Sequence, residues 1–256
     1  MPLNPPIESW HGMRVWVIGA STGIGAAIAA ALLALGARVA VSARREDALR
    51  ALPGAERMVV APLDTTALET VHAAARTVVQ HFERIDLVLL VAGTHSAMRA
   101  QDWNLERARS LLDVNLNGTL NCLDAVLPII LAQGSGGIAI FSSVAGYAGL
   151  PKALVYGPSK AALINLAESL YGDLHPQRIG VYLVNPGFVD TPLTARNDFQ
   201  MPALISAEQA ANATLRGIAK GGFEIHYPKR FTLWLKLLRL LPYRLQFWLV
   251  RKVTGG

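Results

Sequence analysis

The stretch MRVWVIGASTGIG, Met13 to Gly25, decides the fold. MRVWVIG is a short apolar run that ends at Gly19, the pattern of a strand buried on both faces. Gly23 and Gly25 then open GIGAAIAAALLALG, an alanine-rich helix that Gly36 stops. Outward from this unit the alternation repeats. ARVAVSA (37–43) and RMVVAPLD (57–64) read as the second and third strands, and TTALETVHAAARTVVQHF (65–82) as a helix with a threonine cap. IDLVLLVAG (85–93) is a fourth strand, and 105–133 a long helix with Asn115 near its middle. GGIAIFSS (136–143), a helix over 153–174 and IGVYLVNPG (179–187) follow, then a last helix (206–220) and strand (222–227). Non-alternating apolar strands separated by helices imply an α/β fold with a doubly wound parallel sheet, covered on both faces. Its ligand belongs beyond the C-terminal strand ends, where the first strand feeds its helix.

The chain of 256 residues suits one sizeable α/β domain, and 52% apolar against 16% charged residues excludes general disorder. The single cysteine, Cys122, cannot staple the fold and fits a reducing compartment. The six histidines show no metal-ligand spacing, so no metal site is expected. The N-terminus has no apolar signal core, and no uncharged apolar run reaches the ~18 residues of a membrane span. These features predict a cytoplasmic protein. The net charge of +6 is uneven: after Glu224 come seven basic residues and no acid, whereas the first 224 residues hold 17 basic and 18 acidic groups. That shift marks a boundary between a body, 12–227, and a cationic tail, 228–256. No nucleic-acid partner is expected.

The glycine turn lets the backbone approach a pyrophosphate, which the helix N-terminus then stabilises. Its spacing, G-x-x-x-G-x-G, resembles the short-chain dehydrogenase/reductase family, whose fold is of the Rossmann type. The resemblance implies that the turn through Gly19, Ser21, Thr22, Gly23, Ile24 and Gly25 holds a nicotinamide dinucleotide. An NAD site usually has an acid at the end of the second strand; here Ala43 stands there and Arg44 follows. A guanidinium pairs with a 2′-phosphate and has no partner on a bare ribose, which favours NADP(H) over NAD(H). The alternative makes Arg44 and Arg45 a solvated helix start. By resemblance, Asp64 lies near the adenine amino group, its alternative role being an N-cap. Ala92 and Gly93 approach the adenosine ribose. The family's Asn-Asn-Ala-Gly is here LVAG, Leu90 to Gly93, and the missing asparagine removes a polar tie between strands.

In YGPSK, Tyr156 and Lys160 are four apart and share one face of a helix. A tyrosine with a pKa near ~10 is a poor acid-base catalyst at neutral pH, and a nearby ammonium with the positive nicotinamide ring favours its phenolate. Ser143 lies thirteen residues earlier. The family pattern is this serine, Tyr-x-x-x-Lys, and an asparagine in the preceding long helix, matched by Asn115. In NPGFVDTP, Pro186, Gly187, Val189 and Thr191 resemble the loop that receives the nicotinamide carboxamide. The resemblance, over about residues 12–227, implies reversible hydride transfer at a carbonyl carbon. Tyr156 gives the proton, Ser143 holds the carbonyl oxygen, Lys160 binds the nicotinamide ribose, and Asn115 holds a water that links Lys160 to solvent. It also implies a homodimer or homotetramer built on the two long helices.

Residues 193–206 stand where the family has its variable substrate lid. Leu193, Phe199, Met201, Leu204 and Ile205, with Phe188, Tyr147 and Leu150 nearby, favour a small hydrophobic carbonyl or alcohol; plain packing of the lid is the alternative. In the tail, Lys229, Lys236 and Arg239 fall on one side of a helix and Phe231, Trp234, Leu235, Leu238 and Leu241 fill the rest, until Pro242 breaks it. Arg244 and Arg251 line up on the second piece. This pattern describes a helix peripheral to an anionic membrane; alternatively the tail packs across a subunit or caps the cleft. A cofactor-binding regulator or scaffold without turnover is the competing reading of the whole chain.

Overall fold

The computed structural model describes residues 2–195 and 201–254. Its centre is a seven-stranded, all-parallel sheet in the order β3-β2-β1-β4-β5-β6-β7. The strands are β1 (Arg14–Ile18), β2 (Arg38–Ser42), β3 (Val59–Val60), β4 (Leu87–Leu90), β5 (Gly137–Phe141), β6 (Gly180–Pro186) and β7 (Glu224–Tyr227). The order reverses between β1 and β4, which opens a crevice at their C-terminal ends.

The expected non-alternation has a direct counterpart. Successive residues of each strand feed two separate apolar layers. Trp16, Ile18, Val88 and Leu90 point to one face, under α3 (Leu68–Phe82), α5 (Gly118–Gln133) and α6 (Tyr156–Leu174). Val15, Val17, Leu87 and Leu89 point to the other, under α1 (Gly23–Ala34) and α7 (Ala207–Ala219). Leu90, which replaces the family's asparagine, is buried and pairs in register with Ile18 and Ile140. Apolar packing stands here where the family has a polar tie.

Several boundaries differ from the sequence reading. The third strand is two residues long rather than eight. Pro62 supplies no N–H to the ladder, although the amides of Ala61 and Leu63 still reach Val41 O and Ala43 O at 3.0 and 3.1 Å. Helix α3 begins after Ala67 without a threonine cap; Thr66 bonds back to Asp64, and Thr70 Oγ1 to the Ala67 carbonyl. The long helix is α4 (Leu105–Leu112) joined to α5 by a single π turn, Asp113–Asn117. The extra residue of a π turn swings one side chain out of the regular helical rows, and here Asn115 is fully buried. By length and composition 105–133 could cross a bilayer. It instead packs on the sheet, with Cys122, Leu123, Val126 and Ile130 in the core.

A short helix, α2 (Glu46–Arg50), follows β2. After β7 come α8 (Lys229–Arg239) and α9 (Tyr243–Thr254), broken around Pro242. Phe231 and Leu235 of α8 pack on the core, and Phe231 lies 5.4 Å from the Phe188 ring.

Candidate active site

Four neighbouring strands deliver the site. Gly19 follows β1, Gly93 follows β4, Ser143 follows β5, and Pro186 ends β6. One cleft is lined by Ile24, Gly93, Ser143, Tyr156, Lys160, Pro186, Gly187, Val189, Thr191 and Leu193, all singled out from sequence, together with Thr94 and Thr194.

At the β1 end the backbone requires glycine twice. Gly19 has φ +97°, and a Cβ there would stand 2.4 Å from the Ala92 nitrogen. A Cβ on Gly25 would stand 2.1 Å from the Gly19 carbonyl oxygen. Ser21 and Thr22 complete the turn. Thr22 is the N-cap of α1 but makes no side-chain cap, and the first turn holds no acid, so its N–H groups remain available to an anion. A Cβ on Gly23 would stand 3.0 Å from Thr191 Cγ2, so the glycine turn and the loop after β6 lie close together. A tight glycine cradle on an uncapped helix N-terminus fits a dinucleotide pyrophosphate.

Arg44 sits beyond β2, exposed, and forms no ion pair among the described residues. Helix α2 starts only at Glu46, with Arg45 at its N-cap and Glu46 bonded to Arg50. Arg44 is therefore outside that helix. Asp64 Oδ1 accepts from Thr66 N at 2.9 Å and Thr66 Oγ1 at 2.8 Å, a local turn rather than a helix cap.

At the chemical end, Tyr156 opens α6, three residues later than the run suggested, and Lys160 lies one turn on. The Tyr156 and Ser143 side chains line the same cleft. Burial pushes the tyrosine pKa up, and the neighbouring Ser143 hydroxyl only partly offsets this. The expected lowering by Lys160 is absent from the polypeptide alone. Lys160 Nζ stands 5.8 Å from the Tyr156 ring centroid and donates to the Phe141 carbonyl at 3.0 Å. Tyr156 thus keeps its proton at neutral pH, which suits a donor. Burial lowers Lys160 to about 8.

Asn115 serves the site from behind. Its Oδ1 accepts from Thr94 N at 2.7 Å, and its Nδ2 donates to Thr94 O at 2.9 Å and Ser159 Oγ at 3.2 Å. Its amide fixes the Gly93–His95 loop. A Cβ on Gly93 would stand 3.4 Å from both Asn115 Oδ1 and Lys160 Nζ.

Some expected lining residues lie elsewhere. Tyr147 is buried, and its hydroxyl donates to Glu224 Oε1 at 2.5 Å. Phe188 packs on Phe231, Leu150 is half-buried, and Leu204 is exposed. Ile205 bridges to Val189, and Phe199 lies outside the described residues. Two features were missed. His95 meets the Tyr156 ring edge-on at 4.7 Å, and burial lowers its pKa, favouring the neutral imidazole. Glu224 gathers Tyr147, Asn185 (2.9 Å) and Lys236 of α8. Burial alone would raise the Glu224 pKa, but hydrogen bonds from Lys236, Tyr147 and Asn185 outweigh it and hold the carboxyl below its usual range.

Because Glu224 joins the loop after Ser143, the end of β6 and α8, Lys236→Met should destabilise the protein by about 1–2 kcal/mol at neutral pH, as expected for a half-buried pair. A depressed carboxylate pKa contributes stability above its unfolded value and loses it as pH falls through the folded one. The gap between variant and wild type in urea unfolding should therefore close below about pH 4. An equal gap at pH 7 and pH 3 would contradict this assignment.

A family model described as short chain dehydrogenase matches residues 13–201. An uncharacterised oxidoreductase of Staphylococcus epidermidis is 34% identical over 208 residues, 80% of this chain and 90% of its own length. Among solved structures, a Burkholderia cenocepacia short-chain dehydrogenase in complex with NADP is 28% identical, with a TM-score of 0.78 over 91% of this chain and 100% of that one. A Burkholderia phymatum short-chain dehydrogenase/reductase in complex with NAD, 23% identical, shares the fold at a TM-score of 0.83 over 90% and 94%. A match of this span, on a sheet whose crevice gathers the motif residues at its switch point, leads to one assignment: the chain belongs to the short-chain dehydrogenase family of oxidoreductases.

Proposed function

We propose that this chain is an NADP(H)-dependent enzyme that interconverts a small hydrophobic ketone and its secondary alcohol, with Tyr156 as general acid/base. The observation that carries the reading is the convergence of Ser143 and Tyr156 in the wall of one cleft, with the buried Lys160 cation one helical turn behind. The cofactor, when bound, supplies or takes up the hydride. The glycine turn would hold its pyrophosphate, Ala92 and Gly93 the adenosine ribose, Asp64 the adenine, Arg44 the 2′-phosphate, Lys160 the nicotinamide ribose, and Pro186 to Thr191 the carboxamide. Ser143 donates to the substrate oxygen while Tyr156 transfers its proton there. Donors fixed in advance stabilise the charge that develops on that oxygen more than they stabilise the ground state. Leu193 in the cleft supports an apolar substrate. Assembly as a homodimer or homotetramer through α4–α5 and α6, residence in the cytoplasm, and peripheral membrane contact through residues 228–256 complete the reading.

Cofactor choice is tested by fluorescence of bound NADPH. Arg44→Ala should weaken NADPH roughly tenfold to a hundredfold, the loss of one charged hydrogen-bonded partner, and leave NADH nearly unchanged. A wild-type preference for NADH overturns the 2′-phosphate assignment.

A further inference from the structure

We infer that the outward face of α8 and α9 is a docking surface for an anionic lipid bilayer, an inference that rests on the membrane-contact part of the reading above and not on its chemistry. The face differs from the one the sequence suggested. Phe231 and Leu235 turn inward onto the core, and Lys236 is taken up by Glu224. A second apolar surface remains outside. Leu233, Trp234 and Leu237 on α8 and Leu240 at its C-cap recur at helical spacing, with Trp234 73% and Leu240 80% exposed. On α9, Tyr243 stacks on Phe247 at 5.6 Å and Trp248 is 54% exposed. Of the eighteen large exposed apolar side chains among the described residues, eight lie between Leu233 and Trp248. Exposure is therefore concentrated rather than scattered, and a concentrated patch marks an interaction site.

The charges select the occupant. Lys229, Arg230, Arg239, Arg244, Arg251 and Lys252 are all exposed, and none has a carboxylate partner among the described residues. Lys252 Nζ lies over the Trp248 ring at 5.1 Å. A second copy of this surface would bring six cations against six, so self-association here is opposed. A bilayer interface with anionic headgroups answers both features together: the phosphates meet the arginines and lysines, and the Trp, Tyr and Leu side chains enter the acyl boundary. The platform is held in place from beneath by Phe231 on Phe188, by Thr232 Oγ1 with His226 Nδ1 at 2.6 Å, and by Lys236 on Glu224. The α8 part of the surface is thus presented by the folded body.

The test is flotation of the full-length chain with phosphatidylcholine vesicles, with and without phosphatidylglycerol, at low and high salt. The chain should float with the anionic vesicles, and high salt should weaken this without abolishing it, because only the charge part is screened. The double variant Arg239→Gln/Arg244→Gln should bind roughly thirtyfold more weakly, at about fivefold per charge. The triple variant Trp234→Ser/Leu237→Ser/Leu240→Ser should lose about a hundredfold or more. Both alter exposed groups only, and NADPH fluorescence and unfolding midpoints verify that each variant is folded. A full-length chain that stays with the lipid-free fraction at low salt overturns the inference. So does a triple variant that binds like wild type, or one whose mass by light scattering falls without vesicles, which would assign the face to a second copy. Ketone reduction measured on the same samples separates the two proposals: an active enzyme that never floats overturns the docking alone, and a floating protein without turnover overturns the chemistry alone.

Discussion

Tyr156→Phe should lower kcat for ketone reduction by about a thousandfold, within the range that a positioned acid-base group contributes, and leave NADPH binding within about twofold. The substitution removes one oxygen. The ring keeps its edge contact with His95 and its place at the start of α6, and Lys160 keeps its bond to the Phe141 carbonyl. What disappears is the proton donor beside Ser143. Single-turnover rates with pre-bound NADPH separate this loss from any change in binding. A variant with near-normal kcat would remove Tyr156 from its role and return Ser143 to a structural one.

Lys160→Met should abolish most turnover and yet make the cofactor-free protein more stable. Nζ is buried, and burial lowers its pKa from 10.5 to about 8. At pH 7 the protein therefore carries a buried cation at a cost of about 3 kcal/mol, by the conversion of pKa shift to free energy. Losing the bond to the Phe141 carbonyl returns about 1 kcal/mol of that, leaving the variant about 2 kcal/mol more stable. A lysine whose folded pKa lies below its unfolded value is charged in both states below pH 8, so the penalty is fully present there. Between pH 8 and about 10.5 the folded form sheds its proton first, and the penalty fades. The gain in chemical-denaturation midpoint should be constant up to pH 8 and shrink above it. A variant less stable than wild type at pH 7 would show that Lys160 is a structural cation and not one held at a cost for its chemistry.

The strands and the cradle were legible because their signals are local. MRVWVIG reads as doubly buried because consecutive residues have to fill two apolar layers, and they do so through Trp16 and Val17. The glycine positions follow from backbone approaches of 2.4 and 2.1 Å that no side chain tolerates. Tyr156, Lys160, Ser143 and Asn115 follow motif spacing, although spacing did not show that the Asn115 amide is spent on Thr94. What escaped were contacts between distant segments. Asn4 is buried through two hydrogen bonds to Val181, 177 residues away, and nothing in its surroundings in the chain marks it. Tyr147 looked like a cleft residue because it follows Ser143, but its partner Glu224 is 77 residues on. The tail shows the same limit. Composition identified its cations and aromatics, and only the packing of Phe231 and the pairing of Lys236 decide which face looks outward. His95 carries no motif; its contact with Tyr156 arises because the loop after β4 folds back over α6.

The central claim is hydride transfer from NADPH to a hydrophobic ketone at the cleft of Tyr156. It is tested most directly by incubating the full-length protein with a hydrophobic ketone and NADPH deuterated at its transferable position, then analysing the alcohol by mass spectrometry. The account predicts an alcohol carrying one deuterium on its carbinol carbon, formed by wild type and lost in Tyr156→Phe. An alcohol without deuterium, or NADPH left unoxidised across a panel of hydrophobic ketones, would contradict it.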